Sequence, residues 1–204
     1  MIPYLIFGIT FAFAAAVQPG PLQTFFISQT LSKGWKRTLP AAFAPLLSDG
    51  PIIILVLFIL SQVPAWLATL LQTAGGLFLL YLAYATWQTW KKFDSASAGE
   101  PEKSNKTLFQ ATFINLLNPN PYLGWSLVMG PLFLKGWAES PVHGAALLIS
   151  FYSTIVITSM AIIFIFAAAR QLGPRVNKVS LEVSAIALGC FGLYDLWLVL
   201  RNIF

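Results

Sequence analysis

The stretch AAAVQPGPLQTFF, residues 14–26, is an apolar segment that two prolines and a glycine interrupt. A similar interruption, INLLNPNPYLGW, lies at residues 114–125. A proline inside a helix removes one backbone hydrogen bond, and its ring clashes with the preceding turn. We therefore expect two helices that unwind over about one turn each, at Pro19–Pro21 and at Pro119–Pro121.

The composition around these segments is typical of a membrane protein. Of the 204 residues, 57% are hydrophobic and 9% are charged, whereas a soluble domain has roughly 25% charged residues. These figures exclude an ordinary soluble enzyme, a disordered chain and a disulfide-rich secreted domain. The lone Cys190 and the lone His143 allow neither an intrachain disulfide nor a Cys/His metal cluster. We expect no metal, no cofactor and no nucleic-acid partner, and we expect the lipid bilayer to surround the chain.

Six apolar stretches are each at or above the roughly 20 residues that a helix needs to cross the bilayer. They cover residues 3–31, 38–61, 65–90, 109–133, 142–169 and 180–203. The predicted fold is therefore an all-α integral membrane protein with six transmembrane helices. We expect the first stretch to remain as a helix, because no lysine or arginine precedes it as in a cleavable signal peptide.

The basic residues predict the orientation of these spans. Ten of the twelve lysines and arginines follow the first, third and fifth spans. Short loops rich in lysine and arginine stay on the cytoplasmic side. The net charge of +5 is thus explained by topology, and both termini are predicted on the non-cytoplasmic side.

Three sequence similarities recur in the same order in the two halves. They pair the Pro-x-Pro elements, Lys33–Trp35 with Lys135–Trp137, and Gly76–Tyr81 with Gly189–Tyr194. An odd number of spans per half means that the second half enters the membrane from the opposite side, as in inverted-repeat transporters. The prediction is a first repeat at 1–92, a flexible cytoplasmic linker at 93–107 and an inverted second repeat at 108–204. Chance similarity between apolar sequences is the alternative.

The two interruptions predict a substrate slot. The helix N-termini created at the prolines carry partial positive charge that suits a carboxylate, and the preceding free carbonyls suit an ammonium group. Such a slot fits a zwitterion, although a packing kink satisfied by neighbouring Ser or Thr is the alternative. The candidate substrate-binding residues are Gln18, Pro19, Gly20, Pro21, Gln23, Asn115, Asn118, Pro119, Asn120 and Pro121.

Asp49 lies near the middle of the second apolar stretch. An unpaired carboxylate at the bilayer centre costs at least about 2.5–3.5 kcal/mol. It is therefore a candidate proton carrier or a counter-ion for a substrate amine, with a packing hydrogen bond as the alternative. Asp195 is a secondary candidate, for which the adjoining Trp197 favours a structural role near the interface.

Four features of the sequence together resemble the lysine-exporter (LysE/RhtB-type) translocator family: Pro19–Pro21, the basic loop at 33–37, Asp49 and Asn115–Pro119. The resemblance covers essentially the whole chain. It implies export of amino acids or related small metabolites across a bacterial inner membrane, coupled to the proton gradient. The positions that match the family pattern are Pro19, Gly20, Pro21, Asp49, Asn118 and Pro119.

Two departures from the family pattern affect the expected substrate. The family commonly has a lysine directly after the Asn-Pro of its fourth span, where this chain has Asn120 and then Pro121. The usual Pro-Gln-Phe that ends that span is replaced by Gly130–Phe133. Without a fixed cation at the slot, the charge balance differs, so a neutral or less acidic metabolite is conceivable.

The leading hypothesis is a secondary exporter with alternating access that acts on a small zwitterion and protons, with a homo-oligomer as an open option. No phosphate-binding loop is present, so ATP is not the direct driver. An intramembrane enzyme fits poorly, because His143 lies near a span end and Cys190 is alone. A passive channel or a non-transporting membrane subunit is the remaining alternative.

Overall fold

The computed structural model describes residues 1–59, 65–91, 104–170 and 173–203, and every regular element in these ranges is a helix. The elements are α1 (Ile2–Val17), α2 (Pro21–Lys33), α3 (Trp35–Thr38), a 3-10 helix (Leu39–Phe43), α4 (Ala44–Ile54), a π-helix (Leu55–Ile59), α5 (Ala65–Lys91), α6 (Ser104–Leu117), α7 (Pro119–Gly124), a second π-helix (Trp125–Met129), α8 (Gly130–Glu139), α9 (Pro141–Arg170) and α10 (Pro174–Ile203). An all-helical fold is therefore confirmed for the described residues.

Four helical stretches are long and apolar enough to cross a membrane: Trp35–Leu57, Thr69–Lys91, Pro141–Ala169 and Arg175–Arg201. A fifth crossing results if α1 and α2 are counted as one span, and these two helices are bent by 63° at their junction. The chain is thus a multi-pass membrane protein. The predicted span at 109–133 falls on the shorter helices α6, α7 and α8, so the count of six stays a prediction.

The predicted linker at 93–107 falls largely outside the described residues. Its last four positions, from Ser104 onward, belong to α6.

Two helix pairs form the most extensive contacts of the bundle, α5 with α10 and α1 with α9. Glycines allow both approaches. A Cβ atom at Gly76 would lie 2.9 Å from the carbonyl oxygen of Gly192, and a Cβ atom at Gly192 would lie 2.8 Å from that of Gly76. At Gly8 a Cβ atom would lie 2.8 Å from the carbonyl oxygen of Leu147 on α9. Small residues at such crossings let membrane helices pack closely without a hydrophobic driving force.

Replacing Gly192 by alanine is expected to destabilise the protein by about 1–3 kcal/mol, because the added methyl group forces α5 and α10 apart. Gly189→Ala is the matched control on the same helix, since its Cβ atom would meet only the Ala83 methyl at 3.8 Å. The control should be neutral or slightly stabilising because alanine favours helix. Thermal unfolding of the purified variants in detergent checks this, and equal Tm values for both would refute the close-crossing account.

A polar cluster connects α1 to the junction of α8 and α9. The hydroxyl of Tyr4 donates to Glu139 Oε2 at 2.9 Å, and His143 Nδ1 lies 3.3 Å from the same oxygen. The hydrogen bond from Tyr4 holds the pKa of Glu139 below its usual value. His143, whose ring stacks on Tyr4 with centroids 5.1 Å apart, therefore contributes to packing at this end of the bundle.

Candidate functional site

A cavity of about 800 Å³ lies where the two proline interruptions meet. Its walls come from the end of α1, the start of α2, and parts of α4, α5, α6, α7, α9 and α10. The volume is within the roughly 300–1,000 Å³ of small-molecule sites. The wall includes all ten candidate substrate-binding residues together with both candidate carboxylates: Gln18, Pro19, Gly20, Pro21, Gln23, Asn115, Asn118, Pro119, Asn120, Pro121, Asp49 and Asp195.

At the first interruption, α1 ends at Val17 and α2 begins at Pro21. Gln23 on α2 reaches back across the gap, and its Nε2 donates to the carbonyl oxygen of Ala16 at 3.0 Å and approaches that of Ala15 at 3.4 Å. The sequence predicts that these carbonyls are free to bind an ammonium group. In the structure, the Gln23 side chain donates to them instead. Each carbonyl oxygen keeps a second lone pair, so the contact only partly fills this acceptor site.

The second interruption is shorter than expected, because α6 ends at Leu117 and α7 begins at Pro119. Pro119 and Pro121 both fall in the first turn of α7, where backbone N–H groups have no partner within the helix in any case. Asn118 caps this turn, its Oδ1 accepting from the backbone N–H of Asn120 at 3.0 Å. The unwinding predicted over Pro119–Pro121 is therefore limited to Asn118.

A side chain also bridges this second gap. Tyr122 on α7 donates its hydroxyl to the carbonyl oxygen of Leu116, in the last turn of α6, at 2.9 Å. At both interruptions, the helix that follows supplies a donor to the helix that precedes. Such bonds keep the backbone from carrying unsatisfied groups, each of which would be costly inside a membrane.

Asp49 is 3% exposed, and four side chains approach its two oxygens. Asn115 Nδ2 lies 3.2 Å from Oδ1 and the Ser48 hydroxyl lies 3.5 Å from it, while Tyr152 and Trp125 donate to Oδ2 at 3.1 and 3.3 Å. Asn115 also donates to the Ser48 hydroxyl at 2.7 Å. The donors come from α4, α6, the second π-helix and α9. Neutral donors, rather than a cation, thus surround this carboxylate.

Three of these partners, Ser48, Trp125 and Tyr152, are absent from the sequence-based prediction, as is Gln72 of the cavity wall. Trp125 and Tyr152 lie inside apolar stretches, away from the span ends where aromatic residues gather in membrane proteins. That position is a signal of an internal polar contact. It does not identify the partner, because Trp125 and Asp49 are 76 residues apart.

The second π-helix places Trp125 beside Asp49. A Cβ atom at Gly130, directly after this segment, would collide with the carbonyl oxygen of Trp125. Glycine therefore permits the local widening of the helix, and such π segments recur at functional sites.

Within the described ranges, no three His, Cys, Asp or Glu side chains converge on a point that could hold a metal ion. The cavity wall contains no lysine, arginine or histidine among these residues. Among the described residues, the site is therefore a largely apolar cavity whose wall holds two carboxylates and no cationic side chain.

Comparison with known proteins gives relatives for this chain. It is 30% identical over 128 residues to the threonine efflux protein of Escherichia coli strain K12 and, equally, to that of Escherichia coli O157:H7. Each match covers 57% of this chain and 62% of the relative, which is less than two thirds of the relative's length. No solved structure matches significantly. The family model described as LysE type translocator matches residues 13–197, and the chain therefore belongs to the LysE type translocator family.

Proposed function

We propose that this chain is a secondary transporter that exports amino acids or related small metabolites across a bacterial inner membrane, driven by the proton gradient. The observation that carries the proposal is the cavity at the two helix interruptions, with a buried carboxylate in its wall. Membership of the translocator family and the similarity to two threonine efflux proteins support an amino acid as the substrate. Intramembrane carboxylates commonly mark proton relays in transporters.

The cavity has the features that a zwitterion requires. Pro21 begins a helix of 13 residues, whose N-terminus favours a negative group. Gln18, Asn118 and Asn120 add neutral polar groups on the same wall. The substrate carboxylate would lie at the start of α2 and the asparagines would orient it. Phe11 and Phe151 add apolar surface on other parts of the wall.

Asp49 is the proposed proton carrier. Its four donors approach both carboxylate oxygens, and hydrogen bonds of this kind stabilise the charged form after the proton leaves. A proton taken up from the outside would be released inside as substrate leaves the cell. The donors on α6, the second π-helix and α9 would then sense the change, because protonation replaces one acceptor site by a donor.

An inverted repeat of two three-span halves is part of the proposal. Gly76 and Gly192 pack against each other reciprocally, with Leu196 beside Gly76 and Leu80 beside Gly192. Such an exchange of contacts is what a two-fold axis through the crossing would produce. Such an axis would make Gly76 equivalent to Gly192, whereas the sequence similarity pairs Gly76 with Gly189, three residues earlier. Rocking of one half against the other would open the cavity to alternate sides, with the termini on the non-cytoplasmic side.

The proposal is tested by comparing metabolites in the medium of cells that express the chain with those of cells that carry an empty vector. We expect at least one amino acid to accumulate outside when cells are loaded with dipeptides, and a protonophore to stop its uphill efflux. Downhill flux that is indifferent to the protonophore would identify a passive channel instead. Accumulation of no metabolite across varied loads would favour a non-transporting membrane subunit.

A further inference from the structure

The cavity wall holds a second carboxylate, Asp195 on α10. Four residues of α10 line the cavity at helical spacing: Phe191, Tyr194, Asp195 and Leu198. Positions i, i+3, i+4 and i+7 share one face of a helix. Asp195 thus lies on the face of α10 that borders the cavity, and its half-buried side chain is next to the space that a substrate would fill.

Asp195 differs from Asp49 in its partners. Asn115 donates to one oxygen of Asp49, and Trp125 and Tyr152 donate to the other. The single proton of the Ser48 hydroxyl has a nearer acceptor in the carbonyl oxygen of Ala44. No side chain in the described part of the molecule donates to Asp195, and no cationic residue lines the described wall. A half-buried carboxylate is stabilised by a hydrogen-bond donor or a cation. In the described part of the molecule, protein groups thus donate to both oxygens of Asp49, whereas Asp195 keeps its acceptor capacity for a ligand.

Gln72 on α5 contributes a second acceptor to which no protein group donates. Its Oε1 atom is buried without a hydrogen-bond partner, and the residue lines the same cavity. Gly192 lies beside Gly76, Gly189 beside Ala83 and Lys178 beside Trp90, so α5 and α10 run antiparallel. Gln72 and Asp195 consequently lie on the same side of that crossing. Asp195 and Gln72 thus line the cavity from adjacent helices.

Resting on the proposed function, the geometry points to Asp195 and Gln72 as the subsite that binds the protonated amine of the substrate. An ammonium group has three N–H donors and no acceptor, so it complements the Asp195 carboxylate, and rotation of the Gln72 amide would bring its unpaired oxygen to the same group. The two carboxylates then have different roles: Asp195 binds the substrate amine and Asp49 carries the proton. Compounds whose amine is blocked or missing are excluded, because they would leave the Asp195 carboxylate unpaired.

Binding and transport of the full-length protein test this subsite separately. Thermal stabilisation in detergent is measured with each of the twenty amino acids and with their N-acetyl derivatives. Uptake by proteoliposomes is measured with the same amino acids. Wild type should respond to free amino acids and not to the N-acetyl compounds. Asp195→Asn should raise KM and the half-maximal stabilising concentration roughly 10- to 100-fold, the worth of a hydrogen bond to a charged group, with little change in maximal rate.

Asp195→Glu should retain most of the binding, and Gln72→Leu should weaken it less than Asp195→Asn does. Glu182→Gln, which removes a carboxylate from the same helix outside the cavity wall, should leave both measurements unchanged.

The outcomes distinguish the subsite from the proposed function. Transport by wild type with an unchanged KM in Asp195→Asn overturns the subsite and leaves the exporter standing, as does equal acceptance of N-acetyl compounds. Binding that depends on Asp195 without any transport supports the subsite and overturns the exporter. If Asp195→Asn fails to fold, the KM values of Asp195→Glu and Gln72→Leu decide. No response to any free amino acid overturns both.

Discussion

Asp49→Asn is expected to abolish transport driven by a pH gradient while the protein still inserts and folds. Asparagine has nearly the same size and keeps one oxygen acceptor, so contacts from Trp125 and Tyr152 have an acceptor to meet. The asparagine amide neither gains nor loses a proton near neutral pH. The variant should therefore bind substrate but lose the link between substrate movement and proton movement.

Two measurements on the purified variant separate these effects. Tm in detergent and stabilisation by substrate report folding and binding, and both should remain close to wild type. Uptake into acid-inside proteoliposomes reports coupling and should fall to the level of protein-free vesicles. Uptake that keeps its full dependence on the pH gradient would exclude Asp49 as the proton carrier.

Asn115→Leu is expected to lower gradient-driven transport by roughly 10- to 100-fold, because it removes a hydrogen bond to a charged group. Asn115 donates to Asp49 Oδ1 at 3.2 Å and also to the Ser48 hydroxyl. The Ser48 hydroxyl lies 3.5 Å from Oδ1, and its single proton has a nearer acceptor in the carbonyl oxygen of Ala44 at 3.0 Å. Leucine has a similar shape but no donor. The Oδ1 atom would then keep a single long contact in a buried environment.

Thr112→Val is the matched control on the same helix. The Thr112 hydroxyl donates to the carbonyl oxygen of Leu108, within α6 itself, so its loss leaves the surroundings of Asp49 intact. Initial uptake rates at fixed pH gradient compare the two variants. A similar decrease in both would mean that α6 tolerates no polar-to-apolar change, and an unaffected Asn115→Leu would exclude Asn115 from the coupling machinery.

The positions of the helix interruptions follow from the sequence, because proline acts locally. Pro21 begins α2 and Pro119 begins α7, and neither start depends on the contacts that the helix makes with the rest of the bundle. The burial of Asp49 is also predictable from the sequence, because Asp49 is a charged residue in the middle of an apolar span, far from either end. The extent of unwinding was not predictable at Pro121, because it depends on whether a proline falls in the first turn of the next helix.

The long-range contacts of the site lie beyond a single sequence. Tyr152 meets Asp49 across 103 positions, and only the packing of α9 against α4 brings them together. The rotation of α10 is another such case. Trp197 indicates that Asp195 lies near the interface, and a single sequence does not show that the Asp195 face of α10 borders the cavity.

The most direct test of proton-driven export uses purified protein in proteoliposomes with an acidic interior, placed in a mixture of the twenty radiolabelled amino acids. Protons that leave the vesicle should drive substrate inward, which is the reverse of export from a cell. We expect at least one amino acid to accumulate above its outside concentration, and we expect a protonophore or Asp49→Asn to prevent it. Accumulation of none, or accumulation that persists without the gradient, would contradict the account.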